Sequence, residues 1–238
     1  MAHTKIGRGL KITFLGHAAF KLEGAGVTVL IDPWLSNPSL NTPVDQVGPV
    51  DLILVTHGHG DHVGETVAVA QKTGATVVAI HELSVILARQ GAPEVIGMNK
   101  GGTLPIAGCK VTMTHAVHSS AVEEGGNLIA AGDPGGFVIE FPNGFVAYHA
   151  GDTAVFKDME LIRELYHPEL AMLPIGSHYV MSPAEAALAC RLLKPRWVIP
   201  MHYGTFPVLT GTPAELIDRL KGEPEITVIA LKPGETVE

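Results

Sequence analysis

Residues 56–64 read Thr56-His57-Gly58-His59-Gly60-Asp61-His62-Val63-Gly64 and follow the apolar run Leu52-Ile53-Leu54-Val55. Three imidazoles and one carboxylate fall within six positions. Neutral imidazole and carboxylate are ligands of zinc and other borderline divalent ions, so this density points to metal chemistry rather than to a polar loop rich in histidine by chance. A continued strand would send His57 and His59 to one face but split Asp61 from His62. A turn at the strand's end, with glycines allowing a tight curl, instead aims the first pair at one ion and the second pair at another. Open α/β sheets place their sites at such strand ends.

The order His-x-His-x-Asp-His after an apolar strand resembles the metallo-β-lactamase superfamily, and that resemblance directs attention to three later segments. His118 lies in His115-Ala116-Val117-His118-Ser119-Ser120, Asp152 in His149-Ala150-Gly151-Asp152-Thr153, and His202 in Ile199-Pro200-Met201-His202-Tyr203-Gly204. Each segment follows an apolar run, in the superfamily's order, and the resemblance covers nearly the whole chain. The flanks Gly16-His17-Ala18-Ala19-Phe20, Ile31-Asp32-Pro33-Trp34 and Met201-His202-Tyr203-Gly204-Thr205-Phe206 are similar to prokaryotic metal-dependent hydrolases related to ascorbate-phosphate lactonase. Ser177 and Val180 stand where that group carries Gly and Thr, a departure that concerns substrate preference and leaves the ligands alone.

The resemblance implies a four-layer αββα sandwich and a centre for two divalent ions per chain. His57, His59 and His118 would hold the first ion, and Asp61, His62 and His202 the second. Asp152 would bridge them, because a carboxylate has two oxygens to share. Zinc is the first choice, with manganese, nickel or iron as alternatives. Two cations about 3.5–4 Å apart acidify a shared water, and the bridging hydroxide attacks a carbonyl or phosphoryl centre that the same ions polarise. Asp61 would also orient that hydroxide. His59 stands where flavodiiron relatives carry glutamate, which favours hydrolysis over redox iron.

Several neighbours are expected to support this set. Asp32 ends a strand and matches a superfamily motif whose carboxylate steadies a metal-bound histidine from behind. His17 follows another strand, and the resemblance places it beside the metals. His178 and Tyr179 follow a further strand and could polarise a substrate oxygen, with His178 the expected proton donor to the leaving group. His149, three residues before Asp152, is expected behind the ligands. Ser119 and Ser120 serve either the site or their turn. His81, His115 and His167 read as ordinary polar residues, and His3 as an exposed terminal one.

To converge, these residues need strands that end together. Residues 11–15, 20–23 and 27–31 read as an antiparallel opening set, and 33–49, with four prolines, as a long functional loop. A buried strand is expected at 52–55, a helix near 63–72, a strand at 76–80 and a helix through 82–89. Strands are expected at 110–115, 137–141 and 145–148, the last two joined through Pro142-Asn143-Gly144, a hairpin signal. Ser182-Pro183-Ala184-Glu185 and Thr212-Pro213-Ala214-Glu215 each combine a capping hydroxyl, an early proline and a glutamate at N3, so each starts a helix. Strands at 197–199 and 226–231 follow them. Periodicity alone yields the α/β class; the sandwich is what the resemblance adds.

With 238 residues, 46% of them hydrophobic, one domain spanning 1–238 with a sizeable core is expected. The net charge is −8 with 16 Lys plus Arg and no basic run, which disfavours nucleic acid as a partner. No signal-peptide run opens the chain and no stretch of about 18 apolar residues interrupts it, so a cytoplasmic protein without membrane contact is expected. Cys109 and Cys190 match no metal or redox spacing and read as buried thiols in a reducing compartment. The expected function is hydrolysis of a small-molecule ester, lactone or phosphoester by a metal-bridging hydroxide. The alternatives are a phosphodiesterase on nucleotides or RNA ends, and a non-catalytic metal-binding sensor, which the complete ligand set disfavours. A homo-oligomer is left open.

Overall fold

The computed structural model describes residues 5–238, so the expectation for His3 lies outside the described residues. The opening set forms as expected: β1 (Lys11–Phe14), β2 (Phe20–Gly24) and β3 (Val27–Ile31) pair antiparallel, with Phe14 opposite Phe20 and Phe20 opposite Ile31. Parallel strands β4 (Leu52–Leu54), β5 (Thr76–Ile80) and β6 (Val95–Met98) extend that sheet. The helix expected near 63–72 is two pieces, a single turn α1 (Gly60–Val63) and α2 (Thr66–Thr73), interrupted at Gly64 with φ 41°. The interruption is fixed from outside, because a Cβ at Gly64 would collide with the Trp34 backbone. Helix α3 (His81–Arg89) then joins β5 to β6.

The second sheet begins with β7 (Thr103–Ile106) and β8 (Cys109–His115), and a separate two-stranded hairpin of β9 (Ala121–Glu124) and β10 (Asn127–Ala130) follows. Next come β11 (Gly135–Glu140) and β12 (Val146–His149), then β13 (Leu170–Pro174) and β14 (Trp197–Met201) in parallel. The strand expected at 226–231 shortens to β15 (Thr227–Val228). Beyond it the chain leaves the second sheet and ends in β16 (Thr236–Val237), which pairs with β1 of the first. Past Val228 the apolar run turns into the shared core, where Ile229 and Leu231 are buried. The resulting orders are β16-β1-β2-β3-β4-β5-β6 and β15-β14-β13-β12-β11-β8-β7.

Side-chain alternation along the second sheet separates two cores, as a period of two requires. Phe137, Ile139, Ala147, Met172 and Ile199 join the core shared with Ile12, Leu22, Val29 and Leu54 of the first sheet. Val138, Tyr148, Ala171, Leu173 and Val198 point the other way, onto α4 (Met159–Tyr166), α5 (Pro183–Leu193) and α6 (Pro213–Arg219). Val69 and Ala70 of α2 and Leu83 and Leu87 of α3 pack against the first sheet, completing the αββα sandwich. The two sequence-marked helix starts carry closed capping boxes: Ser182 and Thr212 accept from the N3 amides, and Glu185 and Glu215 reach back. Among the described residues no helix is long and apolar enough to cross a membrane.

Strands β1, β3 and β4 run in one direction in the first sheet, and β8, β12 and β14 share a direction in the second. Their C-terminal ends deliver His17, Asp32, His57–His62, His118, Asp152 and His202 to one rim of the sandwich.

Candidate metal centre

Three of these residues sit in backbone conformations that side chains rarely adopt. His17, Asp32 and His202, each within three residues of a strand end, have φ of 55°, 45° and 55°. Left-handed non-glycine residues are uncommon and gather where surrounding structure over-determines them, often at sites. Asp32 shows what holds it. Its Oδ1 accepts from the Thr56 amide at 2.8 Å, and its Oδ2 from the Thr56 hydroxyl at 2.6 Å and from His62 Nδ1 at 2.8 Å. With Nδ1 committed to Asp32, His62 is left with Nε2 as its ligating atom.

The candidate ligand atoms converge on Asp152. Its Oδ2 lies 3.0 Å from His202 Nε2, 3.3 Å from His62 Nε2 and 3.6 Å from His118 Nε2. His57 Nε2 and His59 Nδ1 face each other at 2.9 Å. Three groups each gather ligand atoms within 4.8 Å: His57, His59 and His118; His57, His62 and Asp152; and His17, Asp61, His62 and His202. The first group is the trio expected at one ion. The third contains the second trio and adds His17, whose Nε2 is 3.1 Å from Asp61 Oδ2.

A cation fits this donor set. His62 Nε2, both ring nitrogens of His202 and Asp152 Oδ1 are buried without a hydrogen-bond partner. Buried polar atoms are ordinarily paired, and so many orphans around one point mark missing bonds. Charge tells the same story. Burial lowers His57, His59 and His118 and holds them in the neutral, ligating form. Burial also pushes His17 down to about 4, its hydrogen bond to Asp61 offsetting only part. Burial opposes the charge on Asp152 and Asp61, yet nearby imidazoles hold both carboxyls below the usual range. His62 goes the other way: burial would lower it, but Asp152 and Asp32 outweigh that and raise it well above an ordinary histidine. The field at this point calls for positive charge, which a divalent ion supplies.

Supporting contacts tie the ligand turns together. Thr153 Oγ1 accepts from the Val117 amide at 3.0 Å, joining the Asp152 turn to the His118 turn. His149 donates from Nε2 to the Ala18 carbonyl at 3.0 Å and accepts from the Gly151 amide at 3.1 Å, so it braces the Asp152 turn from behind. The glycines of the histidine motif act differently from the expected tight curl, since neither Gly58 nor Gly60 has positive φ. A Cβ at Gly58 would lie 2.6 Å from Ala131 Cβ and 3.1 Å from the Ala121 carbonyl, whereas one at Gly60 would meet nothing within 4 Å. Gly58→Ala should therefore cost about 1–3 kcal/mol in denaturant unfolding, as an overpacked site does. Gly60→Ala should stay within about 0.5 kcal/mol of wild type.

A cavity of about 330 Å³ opens onto the cluster, lined by His59, Asp61, His118, Ser119, Asp152, Tyr179 and His202. His178 is not in that lining. It is exposed, with its ring set edge-on against Tyr179 at 4.5 Å between centroids. Of the adjacent pair, Tyr179 lines the cavity and His178 does not. His81, His115 and His167 are exposed. A larger groove of about 930 Å³, lined by Arg191, Lys194, Arg196 and Glu223 among others, contains none of the expected site residues. Nothing in the sequence pattern singles out Thr56, Thr153 or Thr205 for a role; their only signal is a place within three residues of a motif histidine or aspartate.

The profile described as the Beta-lactamase superfamily domain matches residues 27–203. A UPF0173 metal-dependent hydrolase of Rubrobacter xylanophilus is 53% identical over 232 residues, covering 95% of this chain and 96% of the relative. Another, from Methanopyrus kandleri, is 49% identical over 235 residues, covering 96% and 100%. Among solved structures, Igni18, described as a novel metallo hydrolase from the hyperthermophilic archaeon Ignicoccus hospitalis, superposes with a TM-score of 0.87 at 40% identity, covering 96% of this chain and 97% of that one.

Proposed function

Because the chain belongs to the metallo-β-lactamase superfamily and is a metal-dependent hydrolase, we propose that it holds two divalent ions and cleaves a small-molecule ester or lactone, with a phosphoester next in order. The observation that carries this reading is the convergence of His62, His118 and His202 on Asp152 Oδ2 beneath an open cavity. His57, His59 and His118 would hold one ion and Asp61, His62 and His202 the other, with Asp152 a ligand common to both. When bound, such ions supply an acidified water and polarise the scissile carbonyl or phosphoryl group. Asp61, which lines the cavity, would orient the attacking water with its carboxylate. Asp32 keeps His62 Nε2 aimed at the centre. Tyr179 donates its hydroxyl proton toward the leaving oxygen from the cavity wall.

Two features support a small carbonyl substrate. The cavity, about 330 Å³, sits at the low end of the roughly 300–1,000 Å³ range of ligand sites. Its lining also includes no lysine or arginine to neutralise a phosphate chain, which weighs against nucleotides and RNA ends. Metal-loaded protein should turn over lactones and alkyl esters faster than phosphodiesters. Tyr179→Phe should slow alkyl esters by about 10²-fold or more while sparing p-nitrophenyl esters, whose leaving group needs no acid. Turnover confined to phosphodiesters would overturn the substrate assignment.

A further inference from the structure

We propose that His17 is the positioning residue for Asp61, the middle member of a hydrogen-bonded line Thr205–His17–Asp61 that fixes which carboxylate oxygen faces the metal centre. The proposal rests on the reading of Asp61 as ligand and orienter of the attacking water. His17 Nε2 lies 3.1 Å from Asp61 Oδ2, and its Nδ1 lies 3.0 Å from Thr205 Oγ1. A carboxylate only accepts, so Nε2 carries the proton toward Asp61, and Nδ1 accepts from the Thr205 hydroxyl. Asp61, which can only accept, thereby selects the tautomer, and the Thr205 hydroxyl, able to donate or accept, matches it by donating to Nδ1.

The ring has little freedom to do anything else. His17 is buried, its ring centroid lies 3.9 Å from that of His202, and Trp34 and Phe206 meet it edge-on at 5.1 and 5.8 Å. Its carbonyl accepts from the His202 amide at 2.7 Å, which locks the left-handed turn at residue 17 to the turn that delivers a ligand. Asp61, by contrast, has a side chain 27% exposed to the cavity and sits on the single-turn helix α1. Asp61 Oδ2, the oxygen that His17 holds, also lies 3.9 Å from His202 Nε2, so the bond from His17 keeps that oxygen turned to the ligand cluster in a carboxylate that could otherwise rotate. His17 lies in the same group as Asp61, His62 and His202, so direct ligation through Nε2 is the competing role, and metal content separates the two.

The test compares His17→Leu, His17→Gln and Thr205→Val with wild type, each reconstituted with zinc. His17→Gln can still present an N–H to Asp61 and carries the same backbone cost as His17→Leu. Expected are an unchanged metal content in all three and a kcat lowered about 10²-fold in His17→Leu with KM little changed. His17→Gln should recover much of that loss, and Thr205→Val should lose less than His17→Leu. In an Asp61→Asn background, His17→Leu should add nothing further. Nitrogen NMR of the metal-free wild type should show the Nε2–H tautomer at His17, a readout available even where His17→Leu fails to fold. Loss of an ion in His17→Leu, losses that multiply with Asp61→Asn, or an Nδ1–H tautomer would each overturn the proposal. Full activity in Asp61→Asn alone would instead fail the reading of Asp61 and take this inference with it.

Discussion

Asp152→Asn is expected to empty the centre and abolish most turnover together. The change keeps the side chain's volume but replaces one anionic oxygen by an amide that cannot bridge two cations. Three imidazoles approach Asp152 Oδ2 at 3.0, 3.3 and 3.6 Å, whereas Asp61 Oδ2 comes within 4 Å of only one of them, His202, at 3.9 Å. Residues that merely support ligands are worth about 10- to 100-fold in metal affinity or activity, so a shared ligand should exceed about 10²-fold in both. Elemental analysis and kcat/KM measured on the same preparation check it. Retained metal with retained activity would remove Asp152 from the bridging position.

Asp61→Asn should behave differently. If Asp61 orients the attacking water as well as binding, its loss should lower kcat on the order of 10²–10⁴-fold while leaving KM largely intact. His62, His202 and Asp152 remain in reach of the same ion, so occupancy should fall less than in Asp152→Asn. An Asp61→Asn enzyme with normal metal content and normal kcat would rule out the orienting role.

Much of this site was legible because its ligands follow apolar runs that fold as strands. Leu52-Ile53-Leu54 could hardly be anything but a buried strand, and the motif after it had to turn. His118, Asp152 and His202 were found by the same rule, applied through the resemblance. What the sequence hid was long-range. The partition of His178 and Tyr179 depends on which of two adjacent side chains meets a cavity built by other segments, and local pattern carries no such information. The sequence carries no signal for the task of His17, since its partners Asp61 and Thr205 are 44 and 188 residues away. Gly58 is required by Ala121 and Ala131 rather than by its own φ, which again only the packed structure reveals. The helical segment after the motif read as one piece because its break at Gly64 is imposed by Trp34, a residue from the proline-rich loop.

The central claim is that two ions sit among seven side chains joined by Asp152. The most direct measurement is metal stoichiometry by elemental analysis, on protein stripped with a chelator, reconstituted with zinc at neutral pH and freed of excess. Close to two ions per chain are predicted, falling together with activity when the chelator is returned. At most one ion per chain at saturation would contradict the account.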